Sequence, residues 1–544
     1  MPKLSLSGKK TGKTLEEAIE RTLKKVKVET YLEYGEIIRI ASPLPPNIEI
    51  IDRYQAGYNR MASVTIYQDL DSEIYVYHVE EPPVSTIVEN LYKQVRERLQ
   101  TMEMELPEKL AERELVYEKY IQLALKELGY EEAYTKFPEL RYYIIRDVVG
   151  WRVIDVPMRD PRVEEIDYSS TSGVLSVVVK HDKVIATWVD TNITLNEEDL
   201  TKLIEFMAFK TGKAISVAQP ILEARTPEGY RLAANLKEVG LTPAFTIRKF
   251  PEMPLSLTKL IAYRTMSPLL AAYLWSLVEN LRFILVIGGM ATGKTTVLQA
   301  LTSVIPRDRK VVTIEDTPEL RLDHPRWQAL YSRKSTYGTE QDITLFDLAR
   351  YSLRTRAQYI IIGEVRDREI QTLVQMAASG HGSLCTFHAE DPETLFLRLT
   401  SPPLSVQPSF ILTIGAVVLQ VRAWSRKHGK FIRRTGKVWE ITGIKPVVKE
   451  GETPVLYKPI FIWDPIEDYH YPDDIDTLLK ESKHLRIIGE SNYGEDYWYD
   501  MMYWELEEKS RFLQQLVEEG VFDFKEVTER IYRKSLELRK GKKG

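Results

Sequence analysis

Apolar residues along this chain fall into two rhythms, helical in some stretches and strand-like in others. Between 84 and 130, Leu91, Val95 and Leu99 recur at i, i+4 and i+8, and Ile121, Leu125 and Leu128 repeat the spacing among Lys and Glu; this predicts two helices on either side of Pro107. Tyr75-Val76-Tyr77, after Asp71-Ser72, reads as a strand. Leu175–Val179 and Val184–Trp188 read as two more, joined by the turn His181-Asp182-Lys183. Glu197–Thr211 predicts an amphipathic helix ending at Gly212. The prolines of 251–256 mark a linker, and Ser267-Pro268 then opens a helix, with serine as cap and proline at the first helical position. From there to about residue 445 strands and helices alternate, the pattern of a parallel, doubly wound sheet. Beyond 460 the chain is rich in Tyr and Trp and ends in a helical stretch, Glu505–Lys540.

This punctuation divides the chain into an N-terminal adaptor domain (1–138), a second α+β domain (139–250), the linker (251–256), an α/β domain (257–460) and an aromatic, mainly helical C-terminal region (461–544). The tail aromatics are read as a packing surface or subunit contact rather than a ligand box. The basic residues of 1–27 are read as a solvated end, with contact to an acidic membrane surface the lesser alternative.

Composition narrows the classes. With 74 Lys+Arg against 79 Asp+Glu the net charge is −5, which gives no footprint for direct nucleic-acid binding. The one cysteine, Cys385, allows no internal disulfide, and without a CxxC pair no cysteine-based zinc site is expected. The first residues lack the apolar core of a signal peptide and no run of 18 apolar residues occurs, so the expectation is a soluble, intracellular chain.

The strongest chemical signal is Gly288-Gly289-Met290-Ala291-Thr292-Gly293-Lys294-Thr295, which fits G-x-x-x-x-G-K-[ST], with Thr296 following. Its context supports it: Phe283–Ile287 is a buried-strand run, and Val297, Leu298, Leu301, Val304 and Ile305 follow at helical spacing. Strand, glycine loop and helix N-terminus cradle phosphate oxygens. The expected ligands are ATP and Mg²⁺, with Lys294 on the β- and γ-phosphates and the Thr295 hydroxyl on the metal. Two further strands end in carboxylates, Val311–Glu315 and Tyr359–Ile362 followed by Gly363-Glu364. Carboxylates at strand ends stand where doubly wound sheets bind ligands. Glu364 is a candidate for the metal, through water, and either Glu315 or Glu364 could activate the attacking water. His381 and His388 bracket the strand Leu384–Phe387, and each is either structural or in touch with the terminal phosphate. Arg350, Arg354 and Arg356 lead into the Glu364 strand, and Arg366 and Arg368 follow it; Cys385 reads as a small buried hydrophobe.

Four ordered motifs make the chain resemble the secretion ATPases of the type II secretion and type IV pilus superfamily, most closely their archaeal branch. They are the phosphate loop, the aspartate box Thr313–Glu319, the Walker B segment Ile360–Arg366 and the histidine box His381–His388. Matching segments upstream are Gly229-Tyr230-Arg231, Phe245–Phe250 and Met266–Trp275. The resemblance implies a RecA-like ATPase domain behind an N-terminal domain, a hexameric ring, and ATP hydrolysis that drives a type IV pilus-like filament, an archaellum or a type II/IV secretion system. It further implies a polytopic membrane platform protein as partner and a cytoplasmic location at the inner face of the membrane. By motif, Glu364 is the Walker B glutamate, Glu315 the candidate for activating water, His388 the histidine-box residue, and Arg231 and Arg248 candidates to reach the nucleotide across a domain or subunit boundary. The four-cysteine zinc subdomain of bacterial relatives is missing from a chain with one cysteine. A DNA-transfer ATPase on the same core is the alternative.

Overall fold

The computed structural model describes residues 37–541, apart from 105–106, 108–109, 170–172, 182, 185–187, 251–253, 334–340 and 450–451. The basic segment 1–27 and the first residues of the linker lie outside the described residues. The chain divides into two compact units, Met1–Pro251 and Glu252–Gly544.

The described strands of the first unit are β1 (Ile48–Ala56), β2 (Ala62–Asp69), β3 (Tyr75–Glu80), β4 (Val163–Tyr168), β5 (Val174–Val179), β6 (Val189–Thr194), β7 (Ile221–Arg225), β8 (Arg231–Asn235) and β9 (Ala244–Arg248). They form one sheet in the order β1-β2-β3-β6-β5-β4-β9-β8-β7. A single sheet therefore draws strands from both 1–138 and 139–250. The junction is the parallel pair β3–β6, where the Asn192 side chain stands in for backbone: it accepts from Val79 N and donates to Val79 O, both at 2.8 Å. Helices α1 (Thr86–Thr101) and α2 (Leu110–Glu127) flank Pro107 as the spacing predicts. Helix α3 (Glu197–Lys210) is capped by Asn196 and closes before Gly212, whose φ of 72° glycine adopts without a Cβ penalty.

Strand β6, Val189–Thr194, pairs with β5, and of the strand expected at Val184–Trp188 residues 185–187 lie outside the described residues. Val189, Thr191 and Ile193 turn inward while Asp190, Asn192 and Thr194 turn outward, so this segment, with strict period-two alternation, lines the core.

The described strands of the second unit are β10 (Phe283–Gly288), β11 (Val311–Glu315), β12 (Trp327–Tyr331), β13 (Tyr359–Val365), β14 (Gly382–Phe387), β15 (Ile414–Ser425), β16 (Lys430–Ile444), β17 (Val455–Asp464) and β18 (Tyr469–Tyr471). The order is β12-β11-β13-β14-β10-β15-β16-β17-β18. Pairing is parallel from β12 to β15 and antiparallel from β15 onward. The parallel strands are covered on both faces, which is why they read as unbroken apolar runs. Along β10, Ile284 and Val286 face one core with α4 (Pro268–Glu279) and α5 (Lys294–Leu301). Phe283, Leu285 and Ile287 face the other, with α6 (Leu345–Ser352), α7 (Glu369–Ala378) and α8 (Pro392–Thr400). The Ser267 hydroxyl caps α4 by accepting from Leu270 N at 3.2 Å, as Ser-Pro predicts.

The tail is built into this second unit. After α9 (Lys483–Tyr493), the stretch expected at Glu505–Lys540 is two helices, α10 (Trp498–Glu518) and α11 (Phe524–Gly541), broken at Gly520 with φ 72°. Leu506 and Leu513 of α10 bury against the α4 side of the core. The fully buried Lys509 ammonium is held by Glu279 and Glu505, each at 2.7 Å, and by Ser276 at 3.0 Å. Several tail aromatics act by packing, as Phe512 does against Trp275 at 6.5 Å between ring centroids.

Two buried histidines give this unit a pH dependence. His470 donates Nε2–H to the Thr435 carbonyl at 2.9 Å, and burial pushes its pKa down to about 4. His484, pressed by burial and then by Arg282 and Lys483, is also lowered to about 4. Both are neutral when folded, whereas the unfolded chain binds protons below the ordinary value of 6.5. Stability therefore rises with pH across the window 4 to 6.5 and is lost as pH falls through it. The midpoint of thermal unfolding is expected to drop from pH 6.5 to 4, and His484→Leu should flatten that slope.

Candidate functional site

The C-terminal ends of four parallel strands converge on one place, because the register puts their last residues side by side. Ile287 pairs with Phe387, Ile314 with Ile362, and Val365 with Phe387 after a shift in the β13–β14 ladder. The residues that follow are therefore neighbours: Gly288 after β10's apolar run, His388 after β14, and Glu315 and Glu364 at the ends of β11 and β13. The Thr386 hydroxyl fixes the β13–β14 offset by donating to Gly363 O at 2.7 Å.

The loop at the end of β10 depends on its glycines. Gly288 has φ 148°, and a Cβ there would lie 2.4 Å from the Gln420 carbonyl oxygen. Gly293 has φ 94° and opens α5 in the left-handed region. Ala291 takes φ 57°, tolerable for a small side chain. Met290 is the loop's exposed tip at 81%. The Thr292 hydroxyl closes the loop by donating to Gly289 O at 3.0 Å, and Thr295 and Thr296 are half-buried in the first turn of α5.

Lys294 is buried, and its ammonium donates to the carbonyls of Gly288 at 3.0 Å and Gly289 at 2.7 Å. Its Nζ is 3.5 Å from His388 Nδ1, and His388 Nε2 is 2.7 Å from Glu364 Oε1. The other Glu364 oxygen takes Arg366 at 2.5 Å. Lys294, His388, Glu364 and Arg366 thus form one continuous polar chain. Burial lowers the Lys294 pKa, opposed by the charge of Glu364. Burial pushes Glu364 upward, but Arg366, His388 and Lys294 together outweigh it and hold the carboxyl below its usual range, so it is ionised at neutral pH.

Glu315 sits one strand further out and buried. Its Oε1 accepts from the backbone N–H groups of Glu319 at 2.9 Å and Leu320 at 3.0 Å, tying the aspartate box into a loop. Its side chain lies against Gly363: a Cβ at that glycine would be 2.9 Å from Glu315 Cγ. Glu315 thus stands beside the residue before Glu364, and Glu364 is the carboxylate in contact with His388.

The two histidines separate. His381 precedes β14, at the other end of the strand from His388, with Nδ1 3.1 Å from the Met376 carbonyl. Arg350 lies over the Phe346 ring of its own helix. Arg231 and Arg248 are directly paired across β8 and β9 in the first unit, where Arg248 Nε meets Glu165 at 2.7 Å. Cys385 is buried within β14.

Two contacts have no counterpart in the motifs. Arg433, on β16, donates Nε–H to the Ala291 carbonyl at 3.0 Å, bracing the loop from the antiparallel half of the sheet. Arg398 on α8 donates to the His388 carbonyl. Motif spacing could not reveal Arg433, whose partner lies 142 residues away in the chain, and its signal was a cluster of basic residues between 422 and 434; Arg398 is ten residues past His388 but outside the histidine box.

The fold and the site define a RecA-like P-loop domain. Residues 189–428 match the family described as type II/IV secretion system protein. An uncharacterized protein of Methanocaldococcus jannaschii is 33% identical over 406 residues, covering 73% of this chain and 70% of the relative. A second from the same organism is 39% identical over 233 residues, 43% of this chain and 82% of the relative. Among solved structures, the VirB11 ATPase of the Brucella suis type IV secretion system, in complex with sulphate, is 28% identical at a TM-score of 0.27, covering 52% of this chain and 90% of that one. The chain belongs to the type II/IV secretion system protein family.

Proposed function

We propose that the chain hydrolyses ATP at the end of β10 and, as a hexameric ring, drives a type IV pilus-like filament, an archaellum or a type II/IV secretion system. The observation that carries the hydrolytic reading is the unbroken contact from Lys294 through His388 to an ionised Glu364. Phosphates lying in the loop Gly288–Thr295 meet the N-terminus of α5, and Lys294 exchanges its loop carbonyls for β- and γ-oxygens. The Thr295 hydroxyl and the Glu364 carboxylate are hard oxygen donors of the kind Mg²⁺ takes, and they would hold it. Bound there, Mg²⁺ supplies charge neutralisation on the phosphate oxygens. Glu364 orients the attacking water or accepts its proton, with Glu315 behind it as the alternative base. His388 bridges Lys294 and Glu364, so a change at the terminal phosphate reaches both.

Arg231 and Arg248 of the first unit are proposed to reach the nucleotide across a domain or subunit boundary, which would couple turnover to movement of the two units. The motor's partner is proposed to be a polytopic platform protein at the inner face of the membrane. No helix among the described residues is long and apolar enough to cross the bilayer, so contact is peripheral in this reading. The test is phosphate release by the purified full chain with ATP and Mg²⁺, followed with its mass by light scattering. Turnover from a hexamer is the expected result, and a chain that binds ATP but never releases phosphate excludes the motor.

A further inference from the structure

Strands β15 and β16 run past the end of β10 as a basic, aromatic hairpin. Gly288 pairs with Gln420, so everything beyond Gln420 on β15 projects past the phosphate loop. Arg422 stands opposite Arg433, and Trp424 opposite Phe431. Directly opposed residues and their i+2 neighbours share one side of a sheet, so these four side chains form a single face. The other face is packed, with Ile432 buried and Arg434 held by Asp468 at 2.6 Å. On the open face Trp424 is 48% exposed and Phe431 49%. The Arg422 guanidinium lies over the Phe431 ring at 4.5 Å, and Trp424 meets that ring edge-on at 5.2 Å.

The position of this face follows from the sheet order. Lys294, His388 and Glu364 gather on the β14 and β13 side of β10, and Arg433 grips Ala291 from the β15 and β16 side. A triphosphate whose terminal phosphate meets the first group must leave the loop toward the second. Arg422 lies two residues beyond Gln420, roughly 7 Å along the strand, within the reach of a nucleoside attached to phosphates in the loop. A guanidinium stacked on an aromatic ring is a surface on which a purine can stack.

We propose that this face is the nucleoside subsite: the base stacks on the Arg422–Phe431 pair, and Arg433 lies beside the phosphates nearest the ribose. This rests on the triphosphate reading of Gly288–Thr295 and adds the part of the ligand that the loop does not hold.

The experiment titrates the full chain with ATP and with inorganic tripolyphosphate, both with Mg²⁺, by calorimetry. Wild type should hold ATP more tightly than tripolyphosphate. Phe431→Ala and Arg422→Ala should each weaken ATP by about 10-fold while changing tripolyphosphate less than about twofold, the loss expected from one stacking contact. Phe431→Tyr keeps the ring and should keep the ATP affinity, which separates stacking from a disturbed hairpin. ATP binding unchanged in both alanine variants, or an equal loss of both ligands, overturns the subsite. Lys294→Ala is the control for the reading beneath it: that variant should lose both ligands, and if it binds both normally the loop assignment itself fails.

Discussion

Lys294→Ala is expected to weaken ATP binding by at least ~100-fold and to bring turnover to background. Truncating one member of a buried, hydrogen-bonded charge pair costs roughly 2–5 kcal/mol, which sets that scale. The structure shows why the loss falls on the ligand. Among the described residues the Lys294 ammonium is bound to the loop carbonyls of Gly288 and Gly289 and lies close to His388, within reach of phosphates in the same loop. Its burial already lowers its pKa, so a partner anion has a large stabilising effect. Equilibrium titration with ATP, alongside thermal unfolding to confirm that the variant folds, decides the matter. Wild-type turnover in a folded Lys294→Ala would remove the loop from the chemistry.

Glu364→Gln should have the second-largest effect and a different signature. Glutamine keeps the size and one acceptor oxygen for His388 and Arg366 but removes the negative charge. Turnover is expected to fall by about 10²–10⁴, the range for loss of a positioned general base. ATP affinity should stay within a few-fold of wild type, because the loop and Lys294 would still hold the phosphates and glutamine keeps an oxygen donor at the position proposed for Mg²⁺. Rapid-quench measurement of a single turnover separates the two: ATP bound and not cleaved is the expected state. If Glu364→Gln cleaves ATP at the wild-type rate, the base is Glu315, whose carboxylate lies against the backbone of the same strand.

These two expectations could be framed from sequence because the signals behind them are local. A phosphate loop is a strand, a turn requiring glycine at fixed offsets, and a helix N-terminus, all within about twenty consecutive residues. Glycine at 288 and 293 is required by φ values of 148° and 94°, and the buried strand before the loop reads as Phe283–Ile287. The carboxylates at 315 and 364 were legible for the same reason, each closing an apolar run of strand length. Ser-Pro at 267–268 likewise fixed the start of α4.

Where sequence and structure parted, the deciding interaction was not local. Val189–Thr194 was not read as a strand from sequence, and it lies beside β5 because it presents an alternating face to a core supplied by other elements. The two N-terminal segments share a sheet through β3 and β6, whose paired residues are more than a hundred positions apart.

The amino-acid sequence by itself determined the class of chemistry: the phosphate loop, two acidic strand ends and the apolar strands of a doubly wound sheet, each set by neighbours in the chain. The tertiary structure alone decided which of these residues meet. Sheet order placed β14 between β10 and β13, and so brought His388 between Lys294 and Glu364 while leaving His381 at the far end. It also carried β16 to the phosphate loop, giving Arg433 a bond to Ala291 across 142 residues of chain. Strand order and register are fixed by the burial of whole faces, summed over the sheet, and no short stretch of sequence contains that sum.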